Sequence, residues 1–194
     1  SFDAYQVPGA ASATDLDAVL ADLRSLGLEP ALTLTGGPAG FYDAPLVDPA
    51  RSAWLSFVTA AAVRYTIAPY NVRRFEIWQE PNRDVAFAPA ADAAAYASLL
   101  ADSATAIHAV LASAEVATGG LAMCAARPAG IVEPAAYLDA LFAAVGAPGA
   151  AAIGIHPVRL LPEGAFDATQ PLATPDFVTA LGAQEVRRVE EDMT

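Results

Sequence analysis

From Thr14 onward, the apolar positions Leu16, Val19, Leu20, Leu23 and Leu26 recur at helical spacing. Thr14 is the expected cap, with Asp17 three residues later, and Gly27 is the expected terminator. The pattern then changes to a β-branched run, Ala31-Leu32-Thr33-Leu34-Thr35, ended by Gly36-Gly37-Pro38. Asp48-Pro49 opens a second helix through Trp54, Phe57, Val58 and Ala61 towards Tyr65, with proline at its first position. A strand over about 73–79 and an alanine-rich helix over about 91–112 follow, and then Glu115-Val116-Ala117-Thr118, a strand ending at Gly119-Gly120. Pro134 to Val145 is helical and closed by Gly146, and Ala151 to Ile155 is a strand ending at His156-Pro157. A last helical pattern covers about 174–192, beyond a proline- and glycine-bearing loop near 158–175, and a further strand is expected over Phe2 to Val7.

Strands that alternate with helices predict a parallel sheet with right-handed crossovers, either an open doubly wound sheet or a (β/α) barrel. Polar residues gather just after the strands, at Thr35-Gly36-Gly37, Gln79-Glu80-Asn82, Gly119-Gly120 and His156. Both architectures build their sites at that edge. Neither G-x-G-x-x-G nor a Walker sequence is present, which counts against an open nucleotide-binding sheet. An eight-fold barrel takes about 250 residues, so four or five units in 194 residues predict a partial TIM-type (β/α) barrel. The expectation is one α/β domain over 1–194, incomplete at both ends and lacking its final strands. The N-terminus, Ser1-Phe2-Asp3-Ala4-Tyr5, has neither an initiator Met nor a signal peptide, as expected of a processed or excised piece.

Composition narrows the partners. The chain is 55% hydrophobic, but the surplus is mostly alanine and charges interrupt it too often for a membrane span of about 20 apolar residues. With 22 acidic against 10 basic residues and a net charge of -12, the surface repels phosphate backbones, so no nucleic-acid partner is expected. Every basic residue is arginine, which removes lysine Schiff-base chemistry. Cys124 is alone, so it forms no internal disulfide and reads as an inert thiol. Two distant histidines and one cysteine suggest no metal site, and no cofactor is expected.

The chemistry concentrates in Phe75-Glu76-Ile77-Trp78-Gln79-Glu80-Pro81-Asn82, an apolar strand that delivers an acid, an amide and an indole to its own end. Cleaving a glycosidic bond needs an acid to protonate the leaving oxygen and a second carboxylate as nucleophile or base. Glu80 beside Trp78 suits the first role, since desolvation there would push its pKa upward. The alternative is a loop or helix-entry carboxylate paired with Arg83. Gln79 could bond a sugar hydroxyl, and Trp78 either stacks on a sugar or packs in the core. Glu76 shares the strand parity of Glu80, so it either supports the acid or serves as a salt-bridged structural carboxylate. His156 reads as a pocket residue or a buried hydrogen-bonded one, and His108 as structural. Thr35, Tyr42 and Tyr5 are pocket-wall or packing residues. Glu163 falls in a loop, while Glu185, Glu190 and Glu191 fit a solvated helix face.

The run Glu76-Ile77-Trp78-Gln79-Glu80-Pro81-Asn82 resembles the fourth-strand segment of the clan A glycoside hydrolases, retaining (β/α)8 enzymes whose Asn-Glu-Pro carries the acid/base glutamate. The surroundings look most like the β-xylosidase and α-L-iduronidase family and related cellulase-like bacterial hydrolases. Arg51 to Tyr65 resembles the helix before the motif, and Gly119-Gly120-Leu121 and Ile153 to Pro157 resemble the fifth and sixth strand ends. The resemblance spans about residues 14 to 180. It implies Glu80 as acid/base, Gln79, Trp78, Asn82 and His156 around a glycoside or oligosaccharide, and secretion. Two departures stand out. Gln79 replaces the family's asparagine, and the family's nucleophile, a glutamate ending the seventh strand, is expected beyond Thr194. A carbohydrate-binding barrel without catalysis and an open-sheet small-ligand domain are the rival readings.

Overall fold

A computed structural model describes residues 13–36, 43–122, 130–145 and 152–156. In chain order the elements are α1 (Ala13–Ser25), β1 (Ala31–Leu34), α2 (Ala50–Tyr65), β2 (Arg74–Ile77), α3 (Ala93–Val110), β3 (Glu115–Thr118), β4 (Leu121–Ala122), α4 (Pro134–Val145) and β5 (Ile155–His156). The strand expected over Phe2 to Val7, Tyr5, Tyr42, Cys124, Glu163 and the helix near 174–192 lie outside the described residues.

Local chemistry sets the element boundaries. Gly27 ends α1 at φ 76, and Leu28 N–H donates to Leu23 O while Gly27 N–H donates to Arg24 O, both at 3.0 Å. A Cβ disfavours that left-handed backbone, which is why glycine closes the helix. Thr14 is not a cap, because α1 already includes it. Pro49 occupies the cap position of α2 rather than its first turn. Asp48 stands in for the missing cap by accepting Ser52 N–H at 3.1 Å. Asp92 caps α3, taking Ala94 N–H and Ala95 N–H at 2.9 Å each.

The strands are parallel. Ala31, Arg74 and Glu115 stand opposite one another at one end of the sheet, and Leu34, Ile77 and Thr118 at the other. Beyond Thr118 the sheet continues through the Ala117–Ala152 bridge and the β4–β5 pair, where Leu121 faces Ile155 and Ala122 faces His156. β3 therefore ends at Gly119-Gly120 as expected, and a separate short strand, β4, begins just after it. Strand order follows chain order without reversal.

Among the described residues only one sheet face is covered. Leu32, Leu34, Phe75, Ile77, Val116 and Thr118 are buried, and α2, α3 and α4 pack in succession beside one another. On the opposite face Ala31, Thr33, Arg74 and Glu115 are exposed. A doubly wound sheet would bury both sets. The chain is a partial α/β barrel whose described strands do not close.

Against the helices runs a line of buried rings, Trp54, Trp78, Phe87, Tyr96 and Tyr137, with successive centroids 5.5, 5.8, 5.7 and 6.3 Å apart. The first three contacts are edge-to-face, an arrangement that adds about 1 kcal/mol per pair beyond burial. Trp54 also donates its indole N–H to Ser103 Oγ at 2.9 Å, tying α2 to α3. No helix among the described residues is long and apolar enough to cross a membrane.

Candidate active site at the strand ends

The β1–β2–β3 ladder stops at Leu34, Ile77 and Thr118 because the next residue of β2 leaves the extended conformation. Trp78 has φ 71 and Glu80 φ 47. A left-handed backbone is a genuine outlier for a bulky aromatic residue and uncommon for glutamate. Simple alternation would send Trp78 to the inner face with Arg74 and Glu76. Its left-handed backbone breaks that alternation, and the indole instead packs on the helix side, fully buried, donating to Ala86 O at 2.6 Å. Trp78 therefore occupies the packing position rather than a stacking platform. Gln79 lies half-buried between the two left-handed residues.

The strand-end backbones approach closely. A Cβ on Gly119 would stand 2.8 Å from both Ile77 O and Trp78 O. At Gly154 it would stand 2.6 Å from Thr118 O. Backbone cannot yield as a flexible side chain can, so only glycine fits at either position. Gly120 O accepts Glu80 N–H at 3.0 Å, and Gly120 N–H donates to Glu76 Oε1 at 3.1 Å. Glu76 thus lies on the inner face, as its parity predicts, and meets Glu80 through a glycine backbone.

Arg83 donates to Glu80 Oε2, forming the ion pair that the sequence offered as the alternative role for this glutamate. Both groups are partly buried. Asn82 is fully enclosed among the described residues. Its Nδ2 donates to Ala122 O at 3.0 Å and Val132 O at 2.9 Å, while its Oδ1 accepts Ala122 N–H at 2.8 Å. A short amide ending a strand can satisfy neighbouring backbone as readily as a ligand, and here the backbone takes every bond shown. His156 ends β5 opposite Ala122, on the same sheet edge. His108 Nε2 lies 3.1 Å from Ala114 O, closing α3 onto the turn before β3.

Tyr96 is a site residue that the sequence reading did not single out. From the first turn of α3 its hydroxyl donates to Ile77 O at 2.8 Å and accepts Gly119 N–H at 2.6 Å. Burial, above all, pushes its pKa upward, so it remains a donor throughout the physiological range. One signal was available: a tyrosine on the buried stripe of a crossover helix usually brings its hydroxyl to a partner. Thr35 Oγ1 and Arg83 Nε are buried and have no hydrogen-bond partner among the described residues. The edge therefore combines one carboxylate held from its backbone, a guanidinium on that carboxylate, and spare polar atoms.

No family profile matches the chain, and no curated protein does. The chain is similar to solved β-xylosidases and a glucanase. One is a monomeric β-xylosidase from Caulobacter crescentus CB15, 25% identical over 64% of this chain and 28% of that one, with a TM-score of 0.46. Another is a GH128 (subgroup II) endo-β-1,3-glucanase from Sorangium cellulosum, 24% identical over 69% of this chain and 44% of that one, with a TM-score of 0.46. A GH39 β-xylosidase from Caulobacter crescentus is 21% identical over 79% of this chain and 42% of that one, with a TM-score of 0.47. The chain spans less than half the length of each.

Proposed function

We propose that the chain is part of a retaining glycoside hydrolase barrel in which Glu80 is the acid/base. The observation that carries this reading is the left-handed backbone at both Trp78 and Glu80, in the motif that resembles the clan A acid/base segment. Strain of this kind costs on the order of 1–3 kcal/mol per residue and persists where the surroundings over-determine it, which is characteristic of active sites. The remainder of the sheet edge, with Gln79 between the two strained residues and His156 ending β5, would meet the sugar.

In the proposed reaction the Glu80 carboxylic acid gives its proton to the glycosidic oxygen as that bond breaks. A second carboxylate, proposed to lie on a later strand, attacks the anomeric carbon and forms a glycosyl ester. Glu80, now ionised, takes a proton from water; the resulting hydroxide equivalent displaces the ester, and configuration is retained. The substrate class is a β-linked glycoside or oligosaccharide, and a secreted location follows from such a substrate.

Turnover of aryl β-glycosides by the full-length protein tests the reading. Glu80→Gln is expected to lower kcat by about 10²–10⁴-fold on substrates with poor leaving groups. Negligible turnover by both proteins would overturn it in favour of a binding barrel. The Arg83 guanidinium on Glu80 is the observation that favours that second reading, since it occupies an oxygen that proton transfer needs.

A further inference from the structure

We propose that Tyr96 and Glu76 are positioning residues for Glu80, acting through the Gly119-Gly120 backbone rather than on the carboxylate. The assignment to catalysis rests on the acid/base reading of Glu80, whereas the mechanical coupling stands on geometry alone. Where Trp78 turns out of β2, the Gly119 and Gly120 amides do not bond strand carbonyls. Two side chains replace them. Gly119 N–H goes to the Tyr96 hydroxyl on the helix side, and that hydroxyl donates onward to Ile77 O. Gly120 N–H goes to Glu76 Oε1, from the inner face.

The held segment then returns the grip. Gly120 O accepts the amide of Glu80 itself, at 3.0 Å. Contact is close enough that a single Cβ at Gly119 would collide with the Trp78 carbonyl, so little slack separates the glycine segment from the left-handed turn. Tyr96 is fully buried, with its ring edge-on to Phe87, and cannot move its hydroxyl elsewhere without disturbing the core. Removing either side chain would leave a strand-end N–H unpaired where a regular ladder cannot re-form.

Amide hydrogen exchange of the full-length protein, resolved by NMR, tests the coupling without relying on activity. Tyr96→Phe and Glu76→Ala are each expected to speed exchange of the Glu80 amide about tenfold while leaving Val58 in α2 unchanged. Glu76→Gln keeps an acceptor oxygen and is expected to restore the slow rate. Faster exchange at Gly119 and Gly120 with no change at Glu80 in either variant would overturn the coupling. Should Tyr96→Phe fail to fold, Glu76→Ala alone decides, because its side chain is only half-buried.

Two aryl glycosides, one with a poor and one with a good leaving group, then test the catalytic meaning. Only the poor leaving group needs a positioned acid, so both variants should lose kcat about tenfold on it, with KM and the activated substrate little changed. Equal loss on both substrates would assign Tyr96 and Glu76 to structure alone. If exchange behaves as expected but Glu80→Gln shows no leaving-group selectivity, the acid/base reading fails and the clamp survives.

Discussion

β2 carries an acid–arginine pair at each end, and the two are built differently. At the N-terminal end Arg74 reaches Glu115 at 2.7 Å and Glu29 at 3.7 Å, with Arg74 52% and Glu115 57% exposed. At the C-terminal end Glu80 and Arg83 are 15% and 30% exposed. The lower pair sits on regular strands, and solvent does most of the work of holding its charges. The upper one hangs from a left-handed turn around which the Gly119, Gly120 and Glu80 amides are held by Tyr96, Glu76 and Gly120 in turn. Barrels place stability at the lower rim and chemistry at the upper one. Here the distinction is visible in how firmly each rim's backbone is held, more than in which charged residues it contains.

The largest effect should come from adding one methyl group to the upper rim. Gly119→Ala forces a Cβ to within 2.8 Å of the Ile77 and Trp78 backbone, where no rotamer change relieves it. The expected loss is about 3 kcal/mol or more, read as a lowered urea midpoint. A near-neutral result would mean that the strand ends can part, and the upper rim would lose its claim to rigidity.

Asn82→Ala comes next, at about 2 kcal/mol, because it strands Ala122 N–H, Ala122 O and Val132 O in an enclosed site. A residue that shaped a sugar pocket would instead weaken substrate binding with stability unchanged. Urea unfolding set beside KM separates the two roles.

These two positions also mark where sequence reading succeeds and where it stops. Periodicity located β1, β2, β3 and the helices between them, because a one-sided core imposes a period of two on strands and about 3.6 on helices. It placed the strand tip at Glu80 and the inward parity of Glu76. It extended β2 to residue 79, past its end at Ile77, because nothing in the letters Trp-Gln-Glu announces a left-handed residue. Of the two expectations for Trp78, that dihedral goes with the indole packed in the core. The backbone bonds of Asn82 were illegible for a different reason: its partners Ala122 and Val132 lie 40 and 50 residues away, and tertiary backbone contacts leave no periodic trace. Gly119-Gly120 was legible as a strand end, but its purpose emerges only when the neighbouring backbone lies against it.

The smallest effect is expected at the lower rim, and it is the sharpest check on the contrast. Arg74→Ala removes both ion pairs, yet all three side chains are more than half exposed. Water already solvates each charge, and holding long side chains together costs entropy that offsets most of the attraction. The urea midpoint should therefore fall slightly at low salt and show no resolvable change at high salt, where exposed charges are screened. A loss comparable with that of Asn82→Ala, persisting in salt, would mean that Arg74 and its partners are held by the sheet as tightly as the strand ends are. In that case exposure would be a poor guide to which rim is built for chemistry.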